Sequence, residues 1–213
     1  MSKIYPEILD KERKIIFDKL VHFKNIGYLA GGTALAMQIK HRKSYDFDVF
    51  VKTPITRLFR TKVESIFGKY EYYVNTSDQI SFNTHNNIGI TFFYYTYKPL
   101  FPLIRTESIN LSSVSDIAAD KAHTIGRRAI WRDYVDFYFL LKLGIINIQR
   151  VIDFAGEKFD GEFVNTQFLE QLVYFKDLAV TKIEYIGKSL SRSEIQIFLE
   201  KQVEQYLKKT LGK

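Results

Sequence analysis

The stretch Leu29-Ala30-Gly31-Gly32-Thr33, an apolar segment, and then His41-Arg42-Lys43-Ser44-Tyr45-Asp46-Phe47-Asp48-Val49-Phe50-Val51 decides how the rest of this chain is read. Residues two apart on a β-strand share a face, so a strand over 46–51 sends Asp46 and Asp48 one way and Phe47 and Val49 the other. Neighbouring carboxylates are hard oxygen ligands of the kind Mg²⁺ takes, and a glycine pair upstream lets backbone amides approach a phosphate. In combination they point to a divalent metal at Asp46 and Asp48, Mg²⁺ or Mn²⁺, carrying a nucleotide. Gly31, Gly32 and Thr33 are the expected phosphate cradle. Arg42 and Ser44 immediately precede the acidic pair and are expected beside the nucleotide's phosphates or against one of the carboxylates.

The 213 residues suffice for one large domain or two small ones with a sizeable core. A hydrophobic share of 46% and a charged share of 26% are those of an ordinary globular protein. Cysteine is absent, which excludes disulfides and thiolate metal sites and fits a reducing compartment. The chain has no apolar run of about 18 residues, and residues 1–14 are charged and helical in pattern, unlike a secretory leader. The expectation is a cytoplasmic protein with no membrane partner. A net charge of +7 favours polyanions, nucleic acid being the commonest.

Apolar residues recur at helical spacing over 7–24, then a buried strand is expected at 28–30, a helix at 33–39 and a strand at 46–51. Pro54 is expected to open a helix to about Phe67. Aromatic and β-branched residues make strands of 70–75, 79–84 and 88–95, with Asn86-Asn87 as a hairpin turn. From Ser113 the periodicity is helical, with helices expected over 115–127, 131–143, 148–157, 166–175 and 194–209, the last opened by a Ser191/Glu194 capping box. The division is therefore an α/β domain, residues 1–105, and a helical domain, residues 106–213, with the cleft between them as the default site.

The helical half carries a second group of charges: Lys121, Arg128, Asp133 and Asp136. If one helix runs through residue 128, Lys121 and Arg128 stand two turns apart on one side. A lysine point charge and an arginine fork suit the β and γ phosphates of a nucleoside triphosphate or an RNA backbone phosphate. Asp133 and Asp136 share a helix face, where they could orient those cations or accept a proton from an attacking hydroxyl. Trp131 reads as a packing residue.

The order Gly-Gly-Thr, a helix-length gap and Asp-x-Asp resembles the nucleotidyltransferase superfamily that includes DNA polymerase β. Gly31-Gly32-Thr33-Ala34-Leu35 followed by His41-Arg42-x-Ser44-x-Asp46-x-Asp48 resembles the AbiEii/AbiGii toxin family of bacterial nucleotidyltransferases, and the later Lys121, Arg128 and Arg132-Asp133-x-x-Asp136 are similar to a run in that family. The resemblance implies an α+β fold, a mixed polymerase-β-like sheet with flanking helices followed by a helical C-terminal half. It also implies Mg²⁺-dependent transfer of a nucleoside monophosphate from an NTP to an acceptor hydroxyl, tRNA or another RNA being in keeping with the charge, by the toxin of a toxin-antitoxin or phage-defence system, with an antitoxin protein as a partner. In those roles Asp46, Asp48, Lys121, Asp133 and Asp136 are the expected catalytic residues, and Lys121 and Arg128 steady the triphosphate. One departure stands out. Such transferases carry a third carboxylate on a later strand, and here residues 88–95 contain no acid: Thr91 stands where it is expected. A nucleotide- or RNA-binding module without catalysis, and transfer to a small molecule or a protein, are the alternative readings.

Overall fold

The computed structural model describes residues 3–212, so Met1, Ser2 and Lys213 lie outside the described residues. The chain divides into two compact units, residues 1–113 and 114–213.

The first unit is built on a five-stranded sheet of β1 (Gly27–Ala30), β2 (Phe47–Val51), β3 (Tyr72–Asn75), β4 (Gln79–Asn83) and β5 (Gly89–Tyr94), in the order β1-β2-β5-β4-β3. Only β2 and β5 run parallel; the other neighbours are antiparallel. A parallel pair needs a long crossover. Here that connection contains α3 (Arg57–Phe67), β3 and β4. α1 (Lys11–Lys19) and α2 (Gly31–Ile39) complete the unit.

Along β2, Phe47, Val49 and Val51 are buried while Asp48 and Phe50 on the other face are half-buried. This is the two-residue alternation that a strand with one covered face requires. Phe92, fully buried, meets Phe23, Phe59 and Phe67 at ring-centroid distances of 4.7, 5.3 and 6.4 Å. The β4–β5 hairpin closes at Asn87, whose φ of 55° lies in the left-handed region that asparagine tolerates.

Capping explains two departures from the expected helix limits. Asp10 accepts a hydrogen bond from Arg13 N (2.9 Å), so α1 starts at Lys11 and Pro6–Ile8 is a separate short 3₁₀ turn. Thr56 accepts from Phe59 N (3.2 Å), which starts α3 at Arg57 and leaves Pro54 in the preceding loop. Serine and threonine hydroxyls and carboxylates satisfy the unpaired amides of a first helical turn, which proline cannot do.

Residues 106–113 belong to the first unit for a plain reason. β1 is an edge strand, and Leu29 donates from its N–H to Asn110 O and accepts at its carbonyl from Ser112 N, both at 2.8 Å. Those groups would otherwise be unpaired along an open edge.

The second unit consists of α4 (Val114–Ile125), α5 (Trp131–Lys142), α6 (Ile148–Phe159), α7 (Asn165–Leu172) and α8 (Arg192–Leu211). The capping box opening α8 is present: Ser191 Oγ accepts from Glu194 N and Glu194 accepts from Ser191 N. Trp131 is buried, as a packing residue should be. No helix among the described residues is long and apolar enough to cross a membrane.

Two measurements check this architecture. Phe92→Ala should lower unfolding free energy by about 3–5 kcal/mol in urea titrations, the usual cost of emptying a buried aromatic site. In the second unit His123 stacks on Phe159 (3.9 Å, 8°), and burial, then the charge of Arg127, hold its pKa below the usual histidine value. The unfolded chain therefore binds this proton at a higher pH than the folded chain does. Its stabilising effect is complete above the unfolded value of about 6.5 and is lost as pH falls through the lowered one. The urea midpoint should fall between pH 7 and pH 5 more in the native protein than in His123→Gln.

Candidate functional site

The turn from β1 into α2 places two glycines against two charged side chains. Gly31 has φ +63°, and a Cβ there would collide with Asp48 Oδ2. A Cβ at Gly32 would stand 2.7 Å from Arg42 Nη2 and 3.2 Å from Ser44 Oγ. Glycine is needed at both places because the space of a side chain is already taken by the Asp48 carboxylate and the Arg42 guanidinium. The pattern read in the sequence, Gly-Gly and Asp-x-Asp separated by a helix, is thus a spatial cluster containing Gly31, Gly32, Arg42, Ser44 and Asp48.

Thr33 fastens this cluster from within. It is buried, its hydroxyl donates to the Asp46 carbonyl, and it hydrogen-bonds Ser44 Oγ (2.9 Å). Its contribution is to pin the loop before β2 to the first turn of α2. Arg42, also buried, donates from Nη1 to Lys43 O (3.0 Å).

On β5, Gly89 plays the part that Gly31 plays on the other side: a Cβ there would lie 2.9 Å from Asp46 Oδ1 and 3.6 Å from Asn83 Oδ1. The sheet register sets Asp48 beside Thr91, and Thr91 beside Ser81. The position expected to hold a third acid is therefore next to Asp48, and a hydroxyl occupies it. Thr91 Oγ1 and Ser81 Oγ lie 3.0 Å apart, and Gln79 Nε2 donates to Ser81 Oγ (2.9 Å). Ser81 and Gln79 escaped the sequence reading. The Asn86-Asn87 turn sets the hairpin register and hence the Ser81/Thr91 pairing, so the signal was there.

The donor chemistry at Asp46 and Asp48 suits a hard divalent cation. Mg²⁺ is commonly held by one or two carboxylates, with substrate phosphates and water completing its shell. Among the described residues no group of three or more His, Asp or Glu is arranged to hold a metal by itself.

In the second unit, Lys121 on α4 lies 2.5 Å from Asp133 Oδ1 and 2.7 Å from Asp136 Oδ2 on α5, all three residues buried. Asp133 and Asp136 share a helix face, as their spacing requires. Arg128 is elsewhere. α4 ends at Ile125, the following turn is closed by Arg128 N donating to Thr124 O (2.9 Å), and Arg128 is exposed. A second buried group, unread in the sequence, joins Lys158 on α6 to Asp116 (3.1 Å) and Asp120 (2.7 Å) on α4. Its signal was a lysine inside the apolar stripe formed by Val151, Ile152, Ala155 and Phe159.

No family model matches the sequence. The chain is 27% identical over 212 residues to the uncharacterized protein aq_aa25 of Aquifex aeolicus, covering 93% of this chain and 98% of that protein. Among solved structures it is similar to a candidate nucleotidyltransferase from H. pylori (TM-score 0.58, 17% identity, 94% of this chain and 97% of that one). It is also similar to JHP933 from Helicobacter pylori (0.58, 16%, 97% and 94%) and to MenT4, a nucleotidyltransferase toxin of Mycobacterium tuberculosis H37Rv (0.57, 14%, 89% and 80%). At these identities the likeness is one of fold. The chain shares with them an α+β fold, a mixed five-stranded sheet with helices around and after it.

Removing Lys121 alone would leave Asp133 and Asp136 buried without their cation. Lys121→Met should therefore destabilise the protein by about 3–5 kcal/mol. The triple variant that adds Asp133→Asn and Asp136→Asn should recover most of that loss in the same denaturant titration.

Proposed function

We propose that this chain is a divalent-cation-dependent nucleotidyltransferase that moves a nucleoside monophosphate from an NTP to an acceptor hydroxyl. The observation that carries the reading is the Asp48 carboxylate lying over Gly31, with Asp46, just before β2 rather than in it, lying against Gly89 of β5. In the reaction the acceptor oxygen bonds to the α-phosphorus and the bond to pyrophosphate breaks. Such transfer depends on positioning and on neutralising charge, with no covalent nucleophile from the protein.

Asp46 and Asp48 would hold Mg²⁺ or Mn²⁺, and the ion, when bound, neutralises phosphate charge and polarises the phosphoryl group. The amides of Gly31 and Gly32 at the start of α2 face the phosphates, where the positive end of the helix favours an anion. Arg42 and Ser44 lie against Gly32 and add a cation and a hydroxyl to the same place. Thr33 keeps the loop in position. The resemblance gives Lys121, Asp133 and Asp136 catalytic roles; in this chain they are a buried ion-paired group of the second unit. Arg128, exposed beyond α4, is a contact for the acceptor's phosphates rather than a partner of Lys121 on one helix face.

RNA, tRNA in particular, is the acceptor class we favour. The first unit carries sixteen Lys and Arg against ten Asp and Glu, so most of the basic excess lies on the unit that holds the glycine turn and the acidic pair. The resemblance to AbiEii/AbiGii toxins, and a fold neighbour that is a nucleotidyltransferase toxin, support a toxin acting in the cytoplasm and restrained by an antitoxin protein.

The second reading is a nucleotide-binding module without catalysis, favoured by the hydroxyl of Thr91 where an acid is expected. Two experiments separate the readings. Calorimetric titration with Mg²⁺ and each common NTP should give binding heat that the Asp46→Asn/Asp48→Asn variant loses. Incubation of the native chain with α-labelled NTPs and total tRNA should place label on RNA and release pyrophosphate. Label on the protein would indicate self-modification, and binding with no pyrophosphate under Mg²⁺ or Mn²⁺ would establish the module instead.

A further inference from the structure

We propose that Gln79, Ser81 and Thr91 form a directed hydrogen-bond relay that presents the Thr91 hydroxyl proton, in place of a third negative charge, to a phosphate oxygen held beside Asp48, so that the site takes one divalent cation per nucleotide. The inference rests on the nucleotide reading above and specifies the chemistry of that same site.

The direction follows from counting donors and acceptors. Residues paired across neighbouring strands share a face, so Asp48, Thr91 and Ser81 form one row, and Gln79, two residues from Ser81 on β4, lies on that face too. Gln79 Nε2 donates to Ser81 Oγ. Ser81 is fully buried, and its hydroxyl has two bonds, one to Gln79 and one to Thr91. A hydroxyl has one proton to give. If Thr91 gave its proton to Ser81, the Ser81 proton would have no acceptor in a place that water does not reach. If Ser81 gives its proton to Thr91, every buried group is satisfied. Thr91 Oγ1 bonds only Ser81 among the described residues, so its own proton is left to donate. Thr91 is half-buried, at the exposed end of the relay, in register with Asp48.

The consequence is electrostatic. A carboxylate at position 91 would repel a phosphate oxygen and attract a second cation, whereas a neutral hydroxyl donor attracts the phosphate oxygen and holds a cation far less well. The row contributes one acid, Asp48, and Asp46 is the other. Two carboxylates and a donor fit one Mg²⁺ or Mn²⁺ arriving with its nucleotide.

The test uses the full chain, Mn²⁺ and non-hydrolysable α,β-methylene NTP analogues, with free Mn²⁺ counted by electron paramagnetic resonance and nucleotide affinity measured by calorimetry. The native chain should bind one Mn²⁺ per nucleotide. Thr91→Val should weaken nucleotide binding about tenfold, the scale of one hydrogen bond to a charged oxygen. Thr91→Ser should restore it, and Ser81→Ala should fall between. Thr91→Asp should raise the count to two Mn²⁺. Circular dichroism melts of each variant report folding independently of the ligand. Native affinity in folded Thr91→Val, or two Mn²⁺ in the native chain, would overturn the relay while leaving the nucleotide reading intact. A native chain that binds no analogue would overturn both.

Discussion

The close approach of backbone to charge at Gly31 and Gly32 is the constraint on which the rest of the first unit depends. Asp48 lies where a Gly31 side chain would be, and Arg42 lies where a Gly32 side chain would be. Carboxylates and guanidinium groups carry large desolvation penalties, so holding both against a helix start requires compensating contacts. Arg42 donates to Lys43 O, and Thr33 ties Ser44 and the Asp46 carbonyl to the first turn of α2. The geometry of the acidic pair is therefore set by the turn between β1 and α2 as much as by β2 itself.

The sheet serves that arrangement. One face is covered by the cluster around Phe23, Phe59, Phe67 and Phe92, so β2 cannot slip by one residue without driving Asp48 into the aromatic core. Parallel pairing with β5 then brings Thr91 beside Asp48 and, through the hairpin, Ser81 beside Thr91. Within that polar row Gln79, Ser81 and Thr91 are joined by hydrogen bonds.

Much of this was legible from the amino acids. The alternation over 47–51 defined which face of β2 carries Asp48, the Asn86-Asn87 turn located the β4–β5 hairpin, and Ser191 with Glu194 marked the start of α8, all from local chemistry that tertiary packing did not override. What escaped depended on capping and on register. Asp10 starts α1 later than apolar periodicity suggested and Thr56 starts α3 later than Pro54 suggested, since a side chain that satisfies free amides decides the terminus. Arg128 parted from Lys121 because α4 stops one turn short of it. Of the expected site residues, Gly31, Gly32, Thr33, Arg42, Ser44, Asp46 and Asp48 lie together around one turn and one strand. Lys121, Asp133 and Asp136 form their own buried group in the second unit. Lys158 stood out only as a lysine inside an apolar helix stripe, and its two carboxylates on α4 are identified by packing rather than by spacing.

The central claim is that Asp46 and Asp48 grip a divalent ion bearing a nucleotide's phosphates. Its most direct test is anomalous scattering from crystals of the full chain grown with Mn²⁺ and a non-hydrolysable NTP. The expected result is a manganese peak coordinated by carboxylate oxygens of both Asp46 and Asp48 and by phosphate oxygens of the nucleotide. A nucleotide bound with its metal elsewhere, or a peak that touches neither carboxylate, would contradict it.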